Sequence, residues 1–146
     1  MRAALAVSLG MALAGCGLFQ SKADELREEI VETALEQVGE DYQYGGESPS
    51  EGFDCSGLVQ YSYKESGTKL PRSAAAQKKA GRAIKFSDAR PGDLQFYHFG
   101  DRKAGDLHVV MYIGDGEGVH APVRDGEVEV IKVTEPHWRK RYVGAA

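Results

Sequence analysis

Gly52-Phe53-Asp54-Cys55-Ser56-Gly57-Leu58-Val59 is the stretch on which the rest of the chain depends. Gly52 and Phe53 close a loop rich in Gly, Ser and Pro, and Leu58, Val59, Tyr61 and Tyr63 follow with the apolar and aromatic spacing of a helix. Asp54 stands where an N-cap belongs, because its short carboxylate can accept an unpaired amide hydrogen of the first turn. Cys55 then falls in that first turn, where free amides and the helix dipole favour the thiolate, the reactive form of cysteine. Gly57 removes a side chain near the sulfur and is expected to let a substrate backbone approach. The competing reading is a buried structural cysteine, which most free cysteines are.

Working outward, the second cysteine sharpens the reading of the first. Arg2 precedes the apolar run Ala3 to Ala14, which is too short to span a bilayer as a mature helix and has the shape of a targeting segment. The run ends Leu13-Ala14-Gly15-Cys16, which resembles the lipobox of bacterial lipoproteins. The resemblance implies cleavage before Cys16 and acylation of its sulfur; an ordinary secretory signal that happens to contain a cysteine is the alternative. Several acyl chains would anchor the protein stably. The expected organisation is a signal peptide over 1–15, a lipidated tether over 16–23 and one catalytic domain over 24–146. Cys55 is then alone in an exported domain where disulfides are permitted, which suggests a reactive thiol.

The 146 residues can bury a sizeable core, and 42% hydrophobic with 27% charged residues is an ordinary globular composition. A net charge of -4 argues against a nucleic-acid partner, which needs a basic face. Leu26, Ile30, Val31, Ala34, Leu35 and Val38 share one face of a helix that starts at Asp24 and ends at Gly39. The polar face of that helix is acidic, unlike a membrane-surface helix. Glu40 to Phe53 reads as a loop, and the Cys55 helix is expected to end near Gly67. Leu70-Pro71-Arg72-Ser73 reads as a turn, with Ser73 capping a short helix to about Ala80. After the turn Ala89-Arg90-Pro91-Gly92-Asp93 the pattern changes to strands: Leu94 to Phe99, Leu107 to Ile113, Val119 to Pro122, Val128 to Val133 and His137 to Val143, with a polar loop from Gly100 to Asp106. Helices first and strands later give an α+β class, N-terminal helices packed on an antiparallel sheet.

A cysteine nucleophile needs a base within reach and a group to orient that base. Of four histidines, His98 and His137 read as surface or packing residues. His108 is the one ionisable group in an apolar strand and should have a partner, since an unpaired buried imidazole is costly. If the Gly114-Asp115-Gly116 hairpin pairs Ile113 with Glu117, Val110 lies opposite His120, and alternation makes His108 and His120 diagonal neighbours on one face. A zinc site from Cys55, His108 and His120 is the competing chemistry, but the close paired ligand spacings of such sites are missing; no cofactor or metal is expected.

Six pieces in order resemble the NlpC/P60 family of papain-like cell-wall cysteine peptidases: Tyr42-Gln43-Tyr44-Gly45-Gly46; Phe53-Asp54-Cys55-Ser56-Gly57-Leu58-Val59; Leu70-Pro71-Arg72-Ser73; Pro91-Gly92-Asp93-Leu94; His108-Val109-Val110-Met111-Tyr112-Ile113-Gly114; and Val119-His120-Ala121-Pro122. The likeness extends over about Glu25 to Val133. It implies Cys55 as nucleophile, His108 as base, His120 as the orienting third residue and Tyr42 near the oxyanion, with Tyr44 as the fallback. It also implies hydrolysis of amide bonds in peptidoglycan stem peptides, often the D-γ-glutamyl to diamino-acid bond. Asp54 and Ser56 are candidates to hold a charged end of the substrate, against capping and backbone bonding; Arg72 is a candidate for a substrate carboxylate, against a solvated surface arginine. The expected partners are stem peptides and, through the lipid anchor, a membrane: the outer membrane facing the periplasm in a Gram-negative source, since Gly17 rather than Asp follows Cys16. The protein is expected to act as a monomer. An inactive cell-wall-binding lipoprotein and an acyltransferase on the same fold are the alternatives. Charge logic at the helix start predicts a lowered Cys55 pKa and, through pairing with the thiolate, a raised His108 pKa.

Overall fold

A computed structural model describes residues 15–100, 107–122 and 124–146, with side chains from residue 21. The Leu13-Ala14 part of the lipobox, the Cys16 side chain and most of the polar loop expected between Gly100 and Asp106 lie outside the described residues.

The first helix, α1 (Gly15–Glu36), begins nine residues before the expected start, so the backbone of the stretch read as a tether is helical. Its buried side chains are Ile30, Val31, Ala34 and, beyond its last turn, Gln37; Val38, expected on the buried face, is 47% exposed. The helical phase is lost at the end of α1, where Gly39 N–H bonds the Val128 carbonyl at 2.9 Å. A two-stranded hairpin interrupts the expected loop: β1 (Glu47–Ser48) pairs antiparallel with β2 (Gly52–Phe53). The cysteine helix, α2 (Cys55–Glu65), follows at once, capped by Asp54 as expected. α3 (Ala74–Ala80) is capped by Ser73, whose side chain accepts from Ala76 N–H.

Five strands form the main sheet: β3 (Leu94–His98), β4 (Leu107–Gly114), β5 (Glu117–His120), β6 (Glu129–Lys132) and β7 (Tyr142–Ala145), in the order β6-β5-β4-β3-β7 with every pair antiparallel. The last strand starts later than the sequence pattern suggests. Pro136 opens a short helix, α4 (Pro136–Arg139), because proline at a first helical position gives up an amide that has no partner there anyway. His137 and Trp138 are therefore helical, and Trp138 turns inward.

Both faces of the sheet are covered. Leu94, Phe96, Val109, Met111 and Val119 pack with Ile30, Val31 and Ala34 of α1 and with Leu58 and Val59 of α2. Alternation sends Tyr97 and Val110 to the other face, where they meet Val133, Trp138, Phe86 and Tyr142.

The β4–β5 hairpin departs from expectation in one place and keeps it where it matters. Met111 pairs with Val119 and Tyr112 with Gly118, the register anticipated; but Glu117 pairs with Gly114, not with Ile113, which is left over in a bulge. The turn between Gly114 and Glu117 is the two residues Asp115 and Gly116, left-handed at φ of 53° and 76°, with Gly114 before it at 102°, and the extra residue is absorbed by bulging β4. The slip is confined to the turn, so the strand bodies stay in phase.

Candidate active site

Asp54 builds the start of α2. Its Oδ1 accepts from Gly57 N–H at 2.7 Å and its Oδ2 from Gly45 N–H at 3.1 Å, so one carboxylate ties the helix to the preceding loop. The sequence suggested that Gly57 clears space for substrate; it does not. A Cβ there would lie 2.0 Å from the Gly46 carbonyl oxygen, so the missing side chain admits the chain's own Gly45-Gly46 loop.

The strand ladder explains where the Cys55 sulfur goes. The bond from Tyr112 N–H to the Asp93 carbonyl (2.8 Å) sets the parity of β4: Tyr112, Val110 and His108 turn their amides toward β3, and Met111 and Val109 turn theirs toward β5. β5 stops at His120, level with Val110, so the Val109 amide has no strand to bond. That amide, with the amide of Ser56, is close enough to the Cys55 thiol to favour the thiolate. The sulfur thus sits against β4 one residue from His108.

His108 and His120 meet. His108 Nε2 and His120 Nδ1 are 2.7 Å apart, with the rings edge-on at 86°. His108 Nδ1 is buried and has no hydrogen-bond partner. The other His120 nitrogen, Nε2, is 3.1 Å from Glu129 Oε1, directly across the β5–β6 pair. Trp138 lies against both rings, with centroids 6.1 Å from His108 and 5.2 Å from His120, and Phe99 closes on His108 at 5.5 Å. Sequence reasoning missed Glu129 and Trp138. Pro136 was the available signal for the second; the first depends on a register set across the residue 121–128 loop, which no short-range pattern fixes.

Cys55 and His108 line one cleft of about 610 Å³, together with Tyr42, Tyr44, Asp54, Ser56, Arg72 and Arg124. Tyr42 is half-buried and held by its backbone, its N–H bonding the Gly126 carbonyl at 2.7 Å. Tyr44 is 85% exposed at the rim. Burial, and then the nearby Asp54 and Cys55, push the Tyr42 hydroxyl above its ordinary range, so it stays a proton donor. Arg72 is about a third exposed but is not a free cation. Its Nη1 and Nη2 bond the two Asp54 oxygens at 2.8 and 2.7 Å, its Nη1 reaches Ser56 Oγ at 3.0 Å, and its Nε pairs with Glu47 at 3.1 Å. Asp54, Ser56 and Arg72 therefore form one internally paired network beside the sulfur.

Burial overturns the expected charge states. Burial raises the Cys55 thiol, and Asp54 adds to the rise; the two amide bonds and Arg72 oppose it without winning. Burial, with His120 alongside, lowers His108 to about 3. The resting site holds a neutral thiol and a neutral imidazole, because desolvation of each charged form outweighs a helix dipole whose nearest carboxylate and guanidinium cancel. Among the described residues no group of three or more His, Cys, Asp or Glu side chains could hold a metal ion. His98 is half-buried and His137 exposed, both away from the cleft lining.

A model of the NlpC/P60 family matches residues 39–146. The chain belongs to the NlpC/P60 family. It is 39% identical over 126 residues to a γ-DL-glutamyl hydrolase of Bacillus subtilis, covering 86% of this chain and 30% of that one. To the murein DD-endopeptidase MepH of Escherichia coli it is 34% identical over 129 residues, covering 86% of this chain and 47% of that one. The fold is similar to the peptidoglycan hydrolase RipB of Mycobacterium tuberculosis, with a TM-score of 0.73, 30% identity, and coverage of 96% of this chain and 73% of the other. The chain thus spans less than half the length of these two curated relatives.

Proposed function

We propose that this NlpC/P60 domain is a cysteine peptidase that hydrolyses amide bonds in peptidoglycan stem peptides, with the D-γ-glutamyl to diamino-acid bond as the preferred target. The observation that carries the reading is the free Nδ1 of His108, in one cleft with a helix-start thiol and backed by the 2.7 Å bond to His120. Neutral His108 takes the Cys55 proton at Nδ1 as the sulfur attacks the scissile carbonyl. The Tyr42 hydroxyl donates to the oxygen of the tetrahedral intermediate. The His108 imidazolium then protonates the departing amine, leaving a thioester, and His108 next accepts a proton from the water that releases the acid and restores the thiol. His120 accepts from His108 Nε2 and supports its charge during each transfer. Arg72 keeps Asp54 neutralised beside the reaction, so Asp54 and Ser56 would meet a charged end of the substrate only by exchanging bonds within that network.

We further propose that Cys16 is the acylated N-terminus of the mature protein, anchored in the cell envelope, in the outer membrane where the source has one. Among the described residues no helix is long and apolar enough to cross a membrane, so attachment would depend on the acyl chains. A Cys16→Ser chain is expected in the soluble fraction; continued membrane fractionation with a lipidated N-terminus would exclude the anchor.

Digestion of purified peptidoglycan with residues 24–146, followed by mass spectrometry of the new termini, tests the function. New amine and carboxyl ends at one stem-peptide bond, absent with Cys55→Ala, are expected. New amide links to an added amine would indicate acyl transfer instead, and retention on peptidoglycan without new termini would indicate a binding module.

A further inference from the structure

We propose that Glu129 is a positioning residue that fixes the tautomers of both histidines, so that His108 Nδ1, the nitrogen not engaged by His120, is the one free to accept a proton. This rests on the cysteine-peptidase reading of the site.

The histidines form a chain with one polar end. Glu129 Oε1 lies 3.1 Å from His120 Nε2, His120 Nδ1 lies 2.7 Å from His108 Nε2, and His108 Nδ1 ends the chain without a hydrogen-bond partner. Each neutral imidazole carries one N–H and one lone pair, and a carboxylate only accepts. Glu129 therefore places the His120 proton on Nε2. His120 Nδ1 is then a lone pair, and the hydrogen bond to His108 can form only if His108 Nε2 carries the proton. His108 Nδ1 is left as a lone pair on the histidine that shares the cleft with Cys55. Reversing any one tautomer reverses the rest: a donor in place of Glu129 would put a proton on His108 Nδ1, where none can be received.

Two features make this assignment decisive here. Burial lowers both histidines, so each ring is neutral and must choose a tautomer, where a doubly protonated ring would not. The rings are also packed against Trp138, Phe99 and the sheet, His108 being 2% and His120 4% exposed. Glu129 is 57% exposed, so the network has one solvent-side member, held opposite His120 by the β5–β6 register. Direct cross-strand placement leaves the carboxylate no need of a long reach.

The test is ring nitrogen NMR on protein labelled with 15N-histidine at neutral pH, with Glu129→Ala and Glu129→Gln beside the parent. The parent should show both rings protonated at Nε2. In Glu129→Ala the His120 tautomer should become mixed and a population of His108 protonated at Nδ1 should appear. Cys55 alkylation by iodoacetamide and kcat should each fall about tenfold, the loss of one part-exposed charge-assisted hydrogen bond, with KM unchanged. Glu129→Gln, whose amide oxygen can still accept, should recover part of both. Unchanged tautomers and an unchanged alkylation rate in Glu129→Ala would overturn the proposal. NMR and alkylation need no substrate, so a domain that fails to cleave peptidoglycan would still be decided by them.

Discussion

The two faces of the sheet are buried to the same degree and use burial for opposite ends. The helix-covered face contains Phe96, Val109, Met111 and Val119 with Leu58 and Ala34, apolar throughout, so each area removed from water stabilises the fold. The other face contains Tyr97, Gln95, His108, His120 and Trp138. There burial holds two imidazoles uncharged and leaves His108 Nδ1 and Gln95 Nε2 without partners. The first face makes the domain; the second sets the protonation state of two histidines at some expense of stability. Natural folds concentrate such local conflicts where chemistry is done.

Substitutions on opposite faces should therefore separate activity from stability. Cys55→Ala should abolish cleavage, and His108→Ala should lower kcat by about 10²–10⁴, the range for a general base, with neither unfolding the domain at neutral pH. Leu58→Ala should do the reverse, losing about 2–5 kcal/mol of unfolding free energy from a fully buried site while activity per folded molecule stays near the parent value. Urea unfolding alongside peptidoglycan turnover gives both readings. A Leu58→Ala protein that is stable but inactive would mean that the faces do not divide the work.

A smaller effect distinguishes the faces by pH. The native pKa of His108 lies below its ordinary 6.5, at about 3. Below about pH 6.5 the unfolded chain takes up a proton that the native His108 refuses, so stability is full above that pH and declines toward pH 3. At pH 4 the loss from this one group is about 3 kcal/mol, and the lowered pKa of His120 adds in the same direction. His108→Gln should remove that part of the acid sensitivity. If the parent and His108→Gln lose equal stability between pH 7 and pH 4, the histidine face is not what limits acid tolerance.

Legibility in the sequence followed the same division. The apolar face obeys helix and strand periodicity, so α2, its Asp54 cap and the antiparallel sheet were readable from residue spacing; the β3–β7 pairing was not. The meeting of His108 and His120 was readable because the hairpin register keeps its phase beyond the bulge at Ile113. The residues that complete the second face were not. Glu129 reaches His120 through a register set by loop closure, and Trp138 reaches both rings through a helix where alternation suggested a strand. Most misleading was the helix-start logic for Cys55. It weighs a dipole against water, whereas the sulfur sits where Asp54 and Arg72 neutralise each other and desolvation decides.

That neutralisation supplies the smallest and most specific test. Arg72 is about a third exposed, so its bidentate bond to Asp54 is partly screened and Arg72→Met should lower stability by only about 1 kcal/mol. Its effect on Cys55 should be clearer. With the guanidinium gone, Asp54 stands unopposed beside the sulfur, and both changes raise the thiol further. The pH at which iodoacetamide alkylation of Cys55 reaches half its maximal rate should therefore move upward in Arg72→Met. Asp54→Asn should move it downward, since the amide can still cap Gly57 through its oxygen but carries no charge. In the double variant the two shifts should largely cancel, because each partner acts on Cys55 chiefly through the charge that the other leaves exposed. An Arg72→Met protein that alkylates at lower pH than the parent would show that Arg72 holds the thiol through packing of the cleft, and that the Asp54 charge does not govern Cys55.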